Sequence, residues 1–348
     1  MEFKKVLTNW YSANKRELPW RKTKNPYSVW LSEIILQQTQ IKQGLPYYEA
    51  FVTNYPTVFD LSNAQEQDVL KLWQGLGYYS RARNLHTSAK YVANELNGVF
   101  PSTYSDIIKL KGIGDYTASA IASICFNEPT AVVDGNVYRV LSRYFGIDTP
   151  INSSQGIKEF KALATTLIDT TNPGDYNQAL MEFGATQCKP KNPYCNVCPL
   201  KDSCVALQKG SIDSLPVKLK KTKVTKKHFN FLVFSSSDKR TLFEKRNTKG
   251  IWQNLYQFPL IETEQELPLE GFKTHPEISS YFKNLEFEYS LYNTKELVHK
   301  LSHQHLYTKF WIVEVDKLPK QGIPVSELKT YPTPIVIGNF IEEFNFPI

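Results

Sequence analysis

The stretch Leu110-Lys111-Gly112-Ile113-Gly114-Asp115-Tyr116-Thr117-Ala118 joins two short segments of helical pattern. Gly112 and Gly114 permit a tight backbone turn, and the isoleucine between them can plug the core. The amides of such a turn, with the N-terminus of the following helix, form a seat for one anionic phosphate. That is the pattern of a helix–hairpin–helix. It grips a nucleic-acid backbone without reading sequence, because phosphates carry none. Taken alone, the same residues also suit an ordinary helix–glycine–helix turn, so the choice rests on what surrounds them.

Downstream lies Val132-Val133-Asp134-Gly135-Asn136-Val137-Tyr138-Arg139-Val140. Asp134 follows an apolar pair and precedes a glycine and a new helix, which fits an N-cap. Upstream lies Glu33, inside a helix whose start is signalled by Asn25-Pro26. Its neighbours Trp30, Ile34, Ile35 and Leu36 would desolvate a carboxyl and raise its pKa. The alternative is a solvated face of an amphipathic helix. Two acids in different environments can divide work, one as proton donor and one as anion.

Further on, Cys188, Cys195, Cys198 and Cys204 are spaced C-x6-C-x2-C-x5-C on a loop rich in Pro and Lys. Four thiolates at such spacing can hold a [4Fe–4S] cluster or a tetrahedral Zn²⁺. Disulfides would need an oxidising compartment, for which the sequence gives no sign. The fifth cysteine, Cys125, sits in an apolar helical run from Ala118 to Phe126 and reads as packing. Beside this loop, the hairpin reads as a DNA contact.

The bulk numbers agree. The chain has 348 residues, 41% of them hydrophobic, and a net charge of +7. It is long enough for two domains with separate cores, and the mild positive excess suits a polyanion partner. Met1-Glu2-Phe3-Lys4-Lys5 leads into no apolar segment, so no signal peptide is read, and no stretch approaches a membrane span. The expectation is a soluble, cytoplasmic monomer without membrane contact, nucleoid-associated if bacterial.

Residues 1–212 read as mainly helical. Residues 213–227 have a linker's composition, with a lysine-dense run from Val217 to Lys227 that suits either a solvated tether or phosphate contact. Phe229-Asn230-Phe231-Leu232-Val233-Phe234 and Phe310-Trp311-Ile312-Val313-Glu314-Val315 are β-type runs, so residues 228–348 read as a separate α+β domain. No internal repeat, P-loop or dinucleotide glycine fingerprint is present.

The hairpin, the Val-Asp-Gly-Asn segment and the cysteine loop, in this order, resemble the endonuclease III superfamily of helix-hairpin-helix DNA glycosylases. Leu18-Pro19-Trp20-Arg21, the run from Trp30 to Gln40, and the run from Gly75 to Leu85 resemble its MutY family of adenine DNA glycosylases. The likeness covers most of residues 7–216. It implies a helical glycosylase domain with a [4Fe–4S] cluster held by loop 188–204. It also implies base excision repair on double-stranded DNA, by removal of adenine mispaired with 8-oxoguanine or, more weakly, guanine. Carried over residue by residue, Glu33 resembles the acid that protonates adenine at N7. Asp134 resembles the carboxylate that stabilises the oxocarbenium-like sugar, in a chemistry parallel to glycoside hydrolysis by paired carboxylates. Tyr116 and Asn136 resemble residues that orient those carboxylates, and Arg21 resembles a pocket-lining residue. Gln38, with Tyr78 or Tyr79, is placed like residues that wedge into the duplex as the base leaves its stack. Bifunctional members carry a lysine two positions after the second hairpin glycine; here that position is Tyr116, which cannot form a Schiff base. Little or no strand-cleaving lyase activity is therefore expected.

The likeness extends to a C-terminal Nudix-like domain, through Gly250-Ile251-Trp252-Gln253-Asn254-Leu255-Tyr256-Gln257-Phe258-Pro259. The glutamate-rich box that binds metal in Nudix hydrolases is absent, which implies lesion recognition without hydrolysis. Leu301-Ser302-His303 matches a loop, usually Phe-Ser-His, that contacts 8-oxoguanine, with leucine in place of the aromatic. Asp115 is a second departure, since an acid follows the hairpin glycines. Three rival readings remain: a broader thymine- or adenine-mismatch glycosylase, a non-catalytic DNA-binding module with structural zinc, and a Nudix-type pyrophosphatase.

Overall fold

The computed structural model describes residues 2–219, 224–282 and 286–346, with the side chains of Ser280 and Tyr281 excepted. It divides into two compact units, residues 1–63 with 84–220, and residues 64–83 with 221–348. The division differs from the linear one expected from sequence, since 64–83 groups with the C-terminal part.

The first unit is helical. Its helices include Glu2–Asn14, Pro26–Leu36, Asp115–Phe126, Gly135–Phe145, Ser154–Leu167 and Pro173–Thr186. Several starts are written locally. Asn25 caps the second of these by accepting from the amides of Tyr27 and Ser28, and Ser153 caps the fifth through Gly156. Leu7, Val137, Leu141, Phe160, Tyr176, Leu180 and Phe183 are buried together, which brings the first, fourth, fifth and sixth of these helices to one core. The Pro173–Thr186 helix lies at the centre and needs glycine at its contacts. A Cβ at Gly174 would sit 2.8 Å from backbone atoms of Ser123 and Ile124, and one at Gly184 would sit 2.6 Å from Cβ of Asn136.

The second unit is α+β. A five-stranded sheet runs Leu260–Thr263, Thr225–Ser236, Gln304–Val315, Glu288–Leu291, with Leu297–Lys300 also pairing to Gln304–Val315. The two long strands pair in parallel from Thr225↔Gln304 to Ser236↔Val315, and the other pairings are antiparallel. Leu232, Phe234, Phe272, Trp311 and Val313 fill one core. On the helix Ile335–Glu343, Phe340 stacks on Phe310 at 4.1 Å. Segment 64–83 joins this unit through specific bonds: Tyr79 Oη to Thr333 O at 3.1 Å, Lys71 Nζ to Tyr331 O at 3.2 Å, and Arg83 Nη1 to Gln253 O at 2.8 Å.

Within the stretch 213–227 expected as a linker, several residues have backbone partners. Ile151 N donates to Val217 O and Leu219 N to Oδ1 of Asn152, so 217–219 are docked on the first unit. Thr225 already belongs to a strand, and Lys220 to Lys223 lie outside the described residues. Among the described residues no helix is long and apolar enough to cross a membrane.

Candidate active site

Glu33, Asp134, Tyr116 and Arg21 come from four separate segments and converge in the first unit. The helix carrying Glu33 buries Val29, Trp30, Leu31, Ser32, Ile34 and Ile35, while Glu33 keeps partial exposure. Burial in these surroundings pushes the Glu33 carboxyl up to about 7. The nearby Tyr116 hydroxyl, which donates to Met181 Sδ at 3.7 Å, pulls the value down, nearby Asp134 pushes it up, and Arg21 pulls it down. Glu33 is thus a group that holds a proton near neutral pH and can also release it.

Asp134 is the N-cap of the helix Gly135–Phe145. One carboxylate oxygen accepts from the amides of Asn136 (2.9 Å) and Val137 (2.7 Å), and the other from Asn136 Nδ2 (2.6 Å). Burial raises its pKa, and these hydrogen bonds, with the charge of Arg139, oppose the rise. Burial remains the larger influence, and the three hydrogen bonds fix the orientation of the carboxyl. Asn136 is itself held: its Oδ1 accepts from Arg139 Nη2 at 2.8 Å. Arg139 also donates to the carbonyls of Gly135, Gly184 and Cys188. The loop leading into Asp134 is pinned from the other side. The fully buried Asn177 accepts from Val132 N (3.1 Å) and donates to Thr130 O and Ser123 Oγ (both 2.9 Å).

The hairpin has the expected turn. Gly112 has φ +82°, a left-handed backbone, and a Cβ there would lie 2.6 Å from Cβ of Asn84. Ile113 is buried beneath it, and Gly114 caps the Asp115–Phe126 helix. Tyr116 projects from the first turn of that helix, and burial lifts its hydroxyl pKa well above the usual tyrosine range, with Glu33 and Asp134 adding to the rise. Asp115 receives an account that sequence could not supply. Its carboxylate accepts from Tyr104 Oη at 2.8 Å and pairs with Lys161 Nζ at 2.9 Å, which also donates to Ser119 Oγ and Ala131 O. The acid is neutralised in place.

Arg21 is anchored by the buried Glu182. Its Nη2 lies 2.7 Å from Glu182 Oε2, and Arg16 Nε lies 2.6 Å from Oε1. Burial would raise the Glu182 pKa, but hydrogen bonds from Arg16 and Arg21 outweigh it and hold the group down at about 2.

Gln38 is exposed, with φ +57°, just past the end of the Glu33 helix. The remaining residues singled out from sequence lie in the second unit. Tyr78 is 50% exposed with φ +47°, and Arg81 stacks over its ring, whereas Tyr79 is 6% exposed with its hydroxyl bonded to Thr333. Of the two, Tyr78 presents the exposed ring. Exposed Ser302 and His303 touch at 3.4 Å. Together with Tyr78 and Tyr79 they line one cavity of about 500 Å³.

The four clustered cysteines are all free thiols and line one cavity. Burial raises the pKa of Cys195, Cys198 and Cys204, Cys198 to about 11, and proximity to the other thiols adds to it. The buried Arg143 braces the loop by donating to Cys188 Sγ (3.5 Å), Lys189 O, Pro190 O, Ile212 O and Leu215 O. Among the described residues no group of three or more His, Cys, Asp or Glu is placed to hold a metal ion. A single tetrahedral ion would draw four sulfurs to within about 4 Å of each other. The four thiols line one shared cavity, and thiolate donors there suit either a zinc ion or an iron–sulfur cluster.

Arg16, Arg139, Asn177, Glu182 and Lys161 were not singled out from sequence. The three-residue spacing of Asn136 and Arg139 on one helix is a signal that could have found that pair. The others act across 30 to 166 positions of chain, and nothing local marks them.

Residues 31–164 match the family model described as HhH-GPD superfamily base excision DNA repair protein, and residues 230–343 match that of a NUDIX domain. The chain is similar to the adenine DNA glycosylase of Buchnera aphidicola subsp. Schizaphis graminum, at 37% identity over 80% of this chain and 83% of that protein. It is similar to the adenine DNA glycosylase of Rattus norvegicus at 45% identity, over 62% of this chain and 44% of that one. Among solved structures, a thermostable thymine-DNA glycosylase superposes with TM-score 0.56 and 30% identity, over 60% of this chain and 96% of that chain. A trapped endonuclease III–DNA covalent intermediate superposes with TM-score 0.52 and 22% identity over 60% of this chain and 94% of that chain, a likeness of fold.

Proposed function

The chain belongs to the adenine DNA glycosylases, and from that membership we propose that it hydrolyses the N-glycosidic bond of adenine mispaired with 8-oxoguanine, and of adenine opposite guanine more slowly. The observation that carries this is the pair of unlike carboxyls, Glu33 raised to about 7 and Asp134 held by three hydrogen bonds. Glu33, protonated, donates to adenine N7, and the C1′–N9 bond breaks with its electron pair leaving on the base. Asp134, as carboxylate, stabilises the positive charge that develops at C1′ until water adds there. Tyr116 tunes the Glu33 carboxyl and Asn136 holds that of Asp134. The adenine must leave the helix stack to reach them, and the exposed Gln38, just past the end of the Glu33 helix, is a side chain that would fill the space.

The enzyme is proposed to be monofunctional. A lyase needs an amine near C1′, and this site presents a buried phenol in Tyr116, while Lys161 is committed to Asp115, Ser119 and Ala131. Cys188, Cys195, Cys198 and Cys204 would hold a [4Fe–4S] cluster, which when bound supplies a fourfold cross-link to a loop with little regular structure. Ser302 and His303 are proposed to contact the 8-oxoguanine partner, and the hairpin Gly112–Gly114 to seat one phosphate of the duplex. The protein is taken to act as a monomer in the cytoplasm, with the helical domain, the linker and the Nudix-like domain on one chain. Single-turnover adenine release from matched duplexes holding 8-oxoguanine:adenine, guanine:adenine and thymine:adenine tests the reading. Release is expected in that order, with thymine:adenine intact. Adenine retained in the lesion duplex by folded, iron-loaded protein refutes it.

A further inference from the structure

The cavity of the second unit has walls beyond Ser302 and His303. One is Trp252, only 6% exposed, whose backbone is left-handed at φ +60°; Asn254 follows at φ +66°. For a residue this bulky that conformation is costly and persists only where the surroundings impose it. They do so here. Arg83 Nη1 donates to Gln253 O at 2.8 Å, Asn254 Nδ2 to Glu66 Oε1 at 2.6 Å, and Asn254 N to Arg246 O at 2.8 Å. The effect is to set the indole edge-on against Phe229 at 5.7 Å and beside the His299 ring at 5.8 Å. His299 lies on the strand Leu297–Lys300, which pairs with Gln304–Val315, so it too is rigidly placed.

His299 lines the same cavity as Ser302. Among the described residues its ring nitrogens have no hydrogen-bond partner. Burial pushes its pKa down, so at neutral pH the ring is uncharged and one nitrogen is an acceptor. 8-Oxoguanine differs from guanine on one edge: N7 carries a proton, and C8 a carbonyl oxygen. An imidazole acceptor and a hydroxyl donor lining the same cavity satisfy both of those groups. Guanine offers only a lone pair at N7 and can engage one of the two.

We propose that His299, positioned by Trp252, is a specificity-determining residue that accepts the N7–H of an 8-oxoguanine base while the Ser302 hydroxyl donates to O8. The inference rests on the lesion-recognition reading of this cavity. The test uses the full-length, cluster-loaded protein and single-turnover adenine release from 8-oxoguanine:adenine and guanine:adenine duplexes, with His299→Phe, His299→Gln and Ser302→Ala. His299→Phe keeps a flat ring and removes the acceptor. It is expected to lower the preference for the lesion duplex about tenfold while leaving the guanine:adenine rate within about twofold. His299→Gln, which restores an acceptor oxygen, is expected to recover part of the preference. If His299→Phe keeps the wild-type preference while Ser302→Ala loses it, this inference is overturned and lesion recognition stands. Equal loss on both duplexes makes His299 a packing residue and also overturns it. A wild-type protein with no preference overturns both.

Discussion

Two glutamates of the first unit share a helical setting and end in opposite states. Glu33 sits among apolar neighbours with Tyr116 and Asp134, and its carboxyl is raised to about 7. Glu182 has a side chain with no exposed surface, yet it meets Arg16 and Arg21 at 2.6 and 2.7 Å and is held at about 2. Burial pushes both upward; the partners decide the outcome. Arg21 links the two regions, because it pairs with Glu182 and also bears on Glu33. One site stores a proton for chemistry, and the other fixes the cation beside it.

The contrast can be broken by substitution. Glu33→Gln removes the proton donor without changing shape, and adenine release is expected to fall by about 10³-fold or more with DNA binding retained. A single-turnover assay with a parallel binding measurement checks this, and comparable rates would end the acid assignment. Glu182→Gln leaves two arginines facing a neutral amide in a buried site. It is expected to cost about 3 kcal/mol of stability, read as a lower denaturation midpoint. A midpoint unchanged by the substitution would show that Arg16 and Arg21 find other partners. Asn136→Ala takes one hydrogen bond from Asp134 and one acceptor from Arg139. Because a hydrogen bond to a charged group is worth about 1.5–3 kcal/mol, the rate constant should fall about 10- to 100-fold with little change in DNA affinity. Loss of affinity with an intact rate constant would contradict its positioning role.

The two carboxyls should also give stability opposite slopes with pH. Glu182 has a folded pKa below its unfolded value, so its contribution is complete above about pH 4.5 and disappears as pH falls through about 2. Glu33 has a folded pKa above its unfolded value, so the fold is favoured by its proton. That contribution is complete below about pH 4.5 and is lost as pH rises through about 7. Denaturation midpoints of Glu33→Gln should therefore lose the neutral-range slope and keep the acid one. Retention of the neutral slope would place that titration elsewhere.

Much of the site was legible in sequence because its signals are local. The glycines of the hairpin, the capping Asp134 and the apolar frame of Glu33 each lie within a few residues of what they determine. The two long strands were equally plain from their β-branched and aromatic runs. What sequence hid is what depends on distant pairing. Asn177 holds the loop before Asp134 from 45 positions away, and Arg16 reaches Glu182 across 166. Segment 64–83 reads as one more helical stretch, yet Tyr79, Lys71 and Arg83 bond to backbone carbonyls of residues 253–333, which no periodicity could announce. The choice between Tyr78 and Tyr79 was hidden for the same reason, since only the partner Thr333 separates the buried ring from the exposed one.

The finest division between the two glutamate regions lies in one hydroxyl. The Tyr116 hydroxyl is the neighbour that pulls the Glu33 carboxyl down against the effect of burial. Tyr116→Phe removes that hydroxyl and keeps the ring, so the Glu33 pKa should rise further above the ordinary carboxylate range. At neutral pH more of the enzyme would then carry the proton that adenine N7 needs, and the loss of activity on raising pH should begin later. The expected change in rate at pH 7 is small, about twofold, because Glu33 is already near half-protonated there. The diagnostic is the displacement of the alkaline limb of the single-turnover profile toward higher pH, with the Glu182 acid transition unmoved. A limb that stays in place would mean that the titrating donor is a group other than Glu33, and a limb that moves toward lower pH would mean that the phenol stabilises the protonated carboxyl rather than the anion.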